Sequence, residues 1–254
     1  MSPLLRALWA ERLKLRGTLA VWMCLVAPAV VVGVYVLQIT FSSFPASRAP
    51  ATPEEAWAAF VQATLVLWAF LMLPLLVTLQ AALLAGLDHQ GNQWKHLLAL
   101  APPRRVHYLA KLFALAVLVG LSQLAMFALL PLGGALLMVA KPAFGLAGAP
   151  PWGLLARDLG EIYAACLLLV ALHTWIALRW RSFAVAVGVG MGATVMGFLI
   201  GQSGRFGPWY PWSLPMQTLA SDPAVAPQVI VYSALAAAAV AVLGLAWFQR
   251  SEPA

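Results

Sequence analysis

Six long apolar runs alternate with short polar interruptions along the 254-residue chain. The runs cover residues 18–40, 60–86, 109–139, 162–178, 183–201 and 229–248. Each reaches or approaches the roughly 17–25 residues that an α-helix needs to cross a hydrocarbon core. Lipid cannot bond to exposed backbone groups, so helices, which satisfy their own backbone, are the expected spanning elements. The pattern predicts an all-α integral membrane protein, with six transmembrane helices in a single transmembrane domain over residues 1–254.

Composition and charge support a membrane location. Only 9% of the residues are charged, against about 25% in a typical soluble domain. Eleven of the fifteen Lys and Arg residues lie in the N-terminal segment, the second and fourth loops and the C-terminal tail. Because basic loops stay in the cytoplasm, both termini are expected to be cytoplasmic. The net charge of +7 favours membrane lipids as partners, whereas no loop is long enough to form a folded basic face for nucleic acid.

The region before the first apolar run is amphipathic. Trp9 lies on one helical arc with four leucines, and Arg12 interrupts that arc. Glu11 and Lys14 lie on the opposite arc. The pattern predicts an interfacial (elbow) helix within residues 1–17, which would lie in the cytoplasmic membrane interface. The alternative is a basic flank that only anchors the first span.

The second loop, residues 88–105, places a short helical pattern, a double proline and paired arginines between two apolar runs. Asn92 is the expected N-cap of a short helix. Trp94, Leu97 and Leu98 fall on one face of that helix. Because two turns of helix are only marginally stable alone, this helix is expected to dock. The candidate docking sites are the membrane interface, the N-terminal helix and a groove in a soluble partner.

The third external loop, residues 203–228, carries four aromatic residues and three prolines within ten positions. Such a segment is expected to dip into, or lie along, the outer interface, with Ser213 capping a short helix. Its aromatic residues form either an interfacial belt or a contact for transported cargo. The candidates for that contact are Trp209, Tyr210 and Trp212.

Polar groups within a span are costly, so they are candidate functional residues. His173 lies deep in the fourth run, where it either contacts a substrate or bonds to a neighbouring helix. Arg157 and Glu161, four residues apart, either line an external vestibule or form a solvated pair. Glycines in the fifth run predict a packing face, within the bundle or between subunits. These glycines are Gly188, Gly192, Gly197 and Gly201.

Other classes of function fit the residues less well. Ser203 and His173 could suggest the dyad of an intramembrane hydrolase, but they are expected at different depths and have no acidic partner. His89, His96 and His107 do not have the spacing of metal ligands, so no metal site is expected. A membrane signalling or assembly protein without transport activity stays open as the alternative.

Two stretches, residues 4–29 and 83–112, resemble the ABC-2 type permeases, and most of all the small permeases of bacteriocin and lantibiotic immunity transporters. In that family an acidic residue opens the cytoplasmic loop, a Trp-Lys pair lies in a short coupling helix, and a Pro-x-x-Arg phrase precedes a lysine. The matching residues here are Asp88, Trp94, Lys95, Pro102, Arg105 and Lys111. Glutamate is the commoner acid at the first position, so Asp88 departs from the family pattern.

The resemblance implies that the loop is a coupling helix, seated in a separate nucleotide-binding subunit. This chain lacks a GxxxxGK[ST] phosphate-binding loop, so it would be no enzyme, and ATP and Mg would act through partner ABC ATPase subunits. The implied protein is an exporter subunit of the bacterial cytoplasmic (inner) membrane, paired with a second permease subunit. Its implied cargo is an amphipathic peptide, a lipid-like toxin or a drug. The residues expected to couple to the ATPase are Asp88, Asn92, Trp94, Lys95, Leu97, Leu98, Arg104 and Arg105.

Overall fold

The computed structural model describes residues 2–42, 50, 52–89, 103–180 and 182–250, and for Asp88 and His89 it describes the backbone alone. No strand occurs in these ranges. A π-helical turn, Trp68–Met72, separates the third and fourth helices. The helices in chain order are α1 (Pro3–Leu15), α2 (Leu19–Phe41), α3 (Pro53–Leu67), α4 (Leu73–His89), α5 (Arg104–Ala140), α6 (Trp152–Arg179), α7 (Phe183–Gly201), α8 (Leu214–Gln217) and α9 (Val225–Arg250).

Six spans in the described ranges are long and apolar enough to cross a membrane, which confirms the number that the apolar runs predict. One span runs from α3 through the π-helical turn into α4, and the other five are α2, α5, α6, α7 and α9. The spans α6 and α4 lie at the centre of the bundle, where they contact each other and several neighbours. In the most apolar window of each helix, 67% of α6 is buried but only 22% of α7 and 17% of α9. The last two helices are therefore peripheral, with faces suited to lipid or to another subunit.

Local capping, rather than hydropathy, determines where the second span begins. The apolar run starts at residue 60, but α3 already begins at Pro53. The Thr52 hydroxyl accepts a hydrogen bond from the backbone N–H of Glu55 at 3.2 Å, and proline is favoured in the first turn. Glu54 and Glu55 also place negative charge at the positive end of the helix dipole.

The two ends of the bundle differ. We call the end that holds α1, the last turn of α4 and the first turn of α5 the coupling end, because residues 90–102 connect α4 to α5 there. The opposite end, which holds the connection between α5 and α6 and residues 202–224, is called the far end. The cytoplasmic location of the coupling end stays a prediction.

Close packing of α5 against α3 requires a glycine near the far end. A Cβ atom on Gly134 would overlap the indole ring of Trp57. Trp57 is held in place, since it is 2% exposed and its Nε1 donates a hydrogen bond to the carbonyl oxygen of Ala147 at 3.1 Å. The two helices can therefore approach this closely only where the side chain is absent.

We expect Gly134→Ala to lower the free energy of unfolding by about 1–3 kcal/mol, the usual cost of overpacking a core. The matched control is Gly160→Ala in α6, where a Cβ atom would meet no neighbouring atom, and where alanine should be neutral or favourable for the helix. Thermal unfolding in detergent measures both variants. Equal unfolding temperatures for the two variants would contradict the close contact.

Candidate functional site

A buried ion pair joins three helices at the coupling end. The Lys111 ammonium of α5 donates hydrogen bonds to the Glu11 carboxylate of α1 at 2.8 Å and to the carbonyl oxygen of Leu84 in α4 at 2.9 Å. The side chains of Lys111 and Glu11 are only 4% and 7% exposed. Lys14 adds a second cation to Glu11 at 3.2 Å. We call this cluster the Lys111 junction.

The Lys111 junction links α4 and α5, the two helices that flank the segment with the predicted coupling helix. Leu84 lies five residues before the end of α4, and Lys111 lies seven residues after the start of α5 at Arg104. A charge buried in this way requires its partner, because removing one member leaves the other uncompensated. The three helix ends are therefore linked by an ion pair whose disruption would strongly destabilise the protein.

The predicted coupling residues are only partly covered by the structure. Arg104 and Arg105 form the first turn of α5, and the backbone of Asp88 lies in the last turn of α4. The other predicted residues, Asn92, Trp94, Lys95, Leu97 and Leu98, lie outside the described residues. Their role in binding an ATPase stays a prediction.

The N-terminal segment forms α1, and one residue of its polar arc faces the protein. Glu11 faces α5 and is buried against Lys111 instead of pointing to solvent. Trp9 and Leu13 are 50% and 65% exposed, and the Arg12 guanidinium lies 4.8 Å from the centre of the Trp9 ring. The location of α1 in the membrane interface stays a prediction.

Residues 202–224 return into the bundle from the far end, and we call them the re-entrant segment. The Tyr210 hydroxyl donates a hydrogen bond to the carbonyl oxygen of Ala193 at 2.9 Å. Ala193 lies eight residues before Gly201, the last residue of α7, which corresponds to about 12 Å along the helix axis. The backbone itself also enters the bundle, because a Cβ atom on Gly197, four residues before Gly201, would lie 3.5 Å from the carbonyl carbon of Trp212. Non-helical backbone below the end of a span is tolerated only where protein covers it.

The polar groups of the re-entrant segment are satisfied locally. Gln217 donates a hydrogen bond to the carbonyl oxygen of Gly201 at 2.9 Å. The short helix α8 begins after Ser213 with a proline in its first turn, as predicted. The predicted side-chain cap is wrong, because the Ser213 hydroxyl instead donates to the carbonyl oxygens of Gly207 at 2.6 Å and Tyr210 at 2.9 Å. Ser213 therefore stabilises the turn that precedes the helix.

His173 lies where α4, α6, α7 and the re-entrant segment meet, and it is 1% exposed. Its Nε2 atom accepts a hydrogen bond from the indole N–H of Trp212 at 3.2 Å and lies 3.2 Å from the hydroxyl oxygen of Thr78. The two rings of His173 and Trp212 meet edge to face, with centroids 5.6 Å apart. Because indole is a donor only, Nε2 must be unprotonated in this arrangement. The structure shows bonding of His173 to neighbouring elements, and a contact of His173 with a substrate stays a prediction.

Small residues on α7 make room for these contacts. A Cβ atom on Gly190 would lie 2.8 Å from Cε1 of His173, and one on Gly197 would lie 3.2 Å from Cβ of Trp212. A Cβ atom on Gly201 would lie 3.2 Å from Cβ of Ser213. In contrast, Gly188 and Gly192 have open space where a Cβ would be. The packing face within this chain therefore differs from the one that four-residue spacing selects.

The predicted substrate-path residues do not form one cluster. The structure brings His173, Tyr210 and Trp212 together, but Arg157 and Glu161 lie near the far end of α6. That pair is joined at 2.9 Å with the Arg157 side chain 64% exposed. His173 lies sixteen positions after Arg157, which corresponds to about 24 Å along the helix axis. Trp209 is also apart from the cluster. It is 51% exposed and packs edge-on against Tyr232.

Two residues of these sites and one ion pair are not predicted from the sequence. The sequence gives no signal for Thr78, and Gly190 is not in either glycine pair. A search for small residues at both three- and four-residue spacing would have selected Gly190, Thr194, Gly197 and Gly201, which are buried on one face of α7. No local sequence pattern predicts the ion pair between Glu11 and Lys111. Among the described residues, no group of His, Cys, Asp and Glu could hold a metal ion.

We expect Glu11→Gln to lower the free energy of unfolding by about 3–5 kcal/mol, because it leaves the Lys111 charge buried without its carboxylate. The double variant Glu11→Gln/Lys111→Met removes both charges and should recover much of that loss. Thermal unfolding in detergent measures both, with Arg157→Gln as a control for an exposed pair, which should cost under about 1 kcal/mol. A loss for Glu11→Gln no larger than that control would contradict a buried, interdependent pair.

Comparison with known proteins identifies the family. A family model described as ABC-2 family transporter protein matches residues 7–197, which is more than half of the chain. The match includes the Lys111 junction and His173 but ends before the re-entrant segment. No curated protein and no solved structure matches the chain. The chain belongs to the ABC-2 family of transporter proteins, as a multi-pass membrane permease subunit whose ATPase is a separate subunit.

Proposed function

We propose that the chain is the permease of an ATP-driven exporter in the bacterial cytoplasmic (inner) membrane. A chain of polar contacts between the coupling end and the re-entrant segment carries this proposal. It begins where Lys111 binds the backbone of α4 at Leu84. It continues in the same helix at Thr78, which contacts His173, and it ends where His173 accepts the hydrogen bond from Trp212.

The helix α4 transmits movement between these two sites in the proposed mechanism. Nucleotide binding closes the partner ATPase subunits and displaces the coupling helix. Because the Lys111 junction links α4 to α5, both helices move with it. Leu84 and Thr78 are six residues apart, about 9 Å along one rigid helix, so a displacement at the first reaches the second. Loss of the contact between His173 and Trp212 then releases the re-entrant segment as the outer gate. Packed helices switch between discrete arrangements in this way.

The surface of the re-entrant segment supports an amphipathic cargo. Phe206 and Trp209 are 59% and 51% exposed, and the Arg205 guanidinium lies 5.4 Å from the centre of the Phe206 ring. Such a surface offers apolar contact and positive charge to one ligand. We propose a peptide, a lipid-like toxin or a drug as cargo, and the immunity role rests on the resemblance alone. The second permease subunit is the same or a related chain.

We expect the chain to copurify with a cytosolic ATPase, and charge reversal at the predicted coupling helix to reduce that association at least several-fold. The test variants are Asp88→Lys and Lys95→Glu, and the readout is the stoichiometry of the ATPase after purification in mild detergent. Glu54→Lys reverses an exposed charge at the far end of the bundle and should leave the association unchanged.

A chain that purifies only with itself, and does so equally in all three variants, would contradict the proposed transporter. That result would favour the alternative, a membrane signalling or assembly protein without transport activity.

The Thr78 hydroxyl donates to the carbonyl oxygen of Pro74 in its own helix at 2.8 Å and also lies 3.2 Å from Nε2 of His173. We expect Thr78→Val, which replaces this hydroxyl by a methyl group and removes the polar contact with His173, to weaken the ATP-dependent movement of the re-entrant segment about fivefold. The reporter is a cysteine introduced at exposed Gly204 and labelled with a membrane-impermeant maleimide in the assembled complex. The two native cysteines, Cys24 and Cys166, are buried. The labelling rate with and without ATP is the measurement.

The control for this experiment is Thr64→Val, which also removes a buried hydroxyl from the second span. That hydroxyl donates only within its own helix, to the carbonyl oxygen of Phe60 at 2.7 Å. An equal change of the ATP response in the two variants would contradict transmission through α4.

A further inference from the structure

An open groove runs between α1, the start of α2 and α5, on the outside of the bundle. It has a volume of about 800 Å³. Its walls are apolar except for Glu11, Arg12 and Arg16, which all lie on or directly after α1. The cluster of His173 and Trp212 belongs to other elements, and the groove meets the Lys111 junction only at Glu11, whose carboxylate faces Lys111.

The apolar wall of the groove lies along the direction of a lipid chain. Phe113, Val117 and Leu121 follow one another at four-residue spacing on α5 and are 47%, 59% and 44% exposed. From first to last they extend about 12 Å along the helix axis, close to the depth of one leaflet's hydrocarbon, about 15 Å. Val21 of α2 closes the other side. One acyl chain would fit this wall lengthwise.

The charged residues at the rim of the groove present a net positive charge to a ligand. Arg12 lies in the last turn of α1 and Arg16 directly follows the helix, and both are exposed and line the groove. Glu11 does not neutralise them, because its carboxylate is bound by Lys111 at 2.8 Å and by Lys14 at 3.2 Å. Neither arginine forms an ion pair within the described ranges. Two guanidinium groups above an apolar wall suit a phosphate above an acyl chain.

We propose that this groove is a binding site for one anionic phospholipid. Arg12 and Arg16 bind its head-group phosphate, and an acyl chain packs against Phe113, Val117 and Leu121. A zwitterionic lipid offers the same chain but carries a cation beside the phosphate, so the basic rim favours an anionic head group. The site requires that the chain spans a membrane and holds whether or not it exports cargo.

Native mass spectrometry of the purified chain tests the site, with phosphatidylglycerol as the probe and phosphatidylcholine of the same chain length for comparison. We expect the chain to retain one phosphatidylglycerol, and R12Q/R16Q to weaken that binding on the order of tenfold with a clearly smaller loss of phosphatidylcholine binding. The matched control R6Q/R250Q removes two exposed positive charges that do not line the groove and should bind like the wild type. V117W fills the groove and should weaken the binding of both lipids.

Equal binding of the two lipids, or equal losses in the two double variants, would show a non-specific lipid shell and overturn the proposal. If the groove instead binds a second copy of the chain, the dimer fraction should fall in R12Q/R16Q and neither lipid should be preferred. This result would also overturn the proposal. The arginine substitutions lie on the surface, so they remain informative even if V117W fails to fold.

Discussion

The buried charge of Lys111 constrains the whole coupling end. In a bundle with so few charges, an ammonium group that cannot reach water must be surrounded by acceptors from the protein. Those acceptors come from two other helices, the carboxylate of Glu11 in α1 and the backbone of Leu84 in α4. The requirement of one side chain thus determines how three helix ends meet. It also explains why an amphipathic helix before the first span packs on α5 with an acidic residue facing inward.

A second constraint acts at the far end of the bundle, where non-helical backbone enters the membrane-spanning region. Such backbone is not tolerated in contact with lipid. The re-entrant segment meets it in two ways. Its own serine, glutamine and tyrosine side chains bond to backbone carbonyls, and a face of small residues on α7 lets it approach closely. Trp212 then reaches His173, whose Nε2 atom also lies 3.2 Å from the hydroxyl oxygen of Thr78 in α4. The central helices are thus in contact with a segment that enters from the far end.

The spans could be predicted from the sequence because twenty apolar residues leave few alternatives to a membrane helix. The start of α3 could not, since Thr52 and Pro53 determine it through capping while hydropathy begins later. Glu11 was assigned to a polar arc correctly, but a helical wheel cannot tell an arc that faces water from one that faces a buried lysine. The cluster of Thr78, His173 and Trp212 joins residues far apart in the chain. Only tertiary packing brings such residues together, so no local sequence pattern predicts this cluster.

The distribution of polar contacts divides the bundle into two groups of helices. Within the first group, Gln80 of α4 bonds to the backbone of α2 at 3.3 Å, and Trp68 donates to Gln123 of α5 at 2.8 Å. Within the second, Ser233 of α9 donates to the carbonyl oxygen of Ala165 in α6 at 2.8 Å and accepts a hydrogen bond from the backbone of the same helix. Between the groups, the Thr78 hydroxyl lies 3.2 Å from Nε2 of His173, and Tyr163 of α6 donates to the carbonyl oxygen of Ala116 in α5 at 3.1 Å. Apolar helices can slide past each other at little cost in lipid, whereas hydrogen bonds there resist exchange. His173 lies at the boundary between α4 and α6, so a change of packing there would alter its contacts with Thr78 and Trp212, as the proposed mechanism requires.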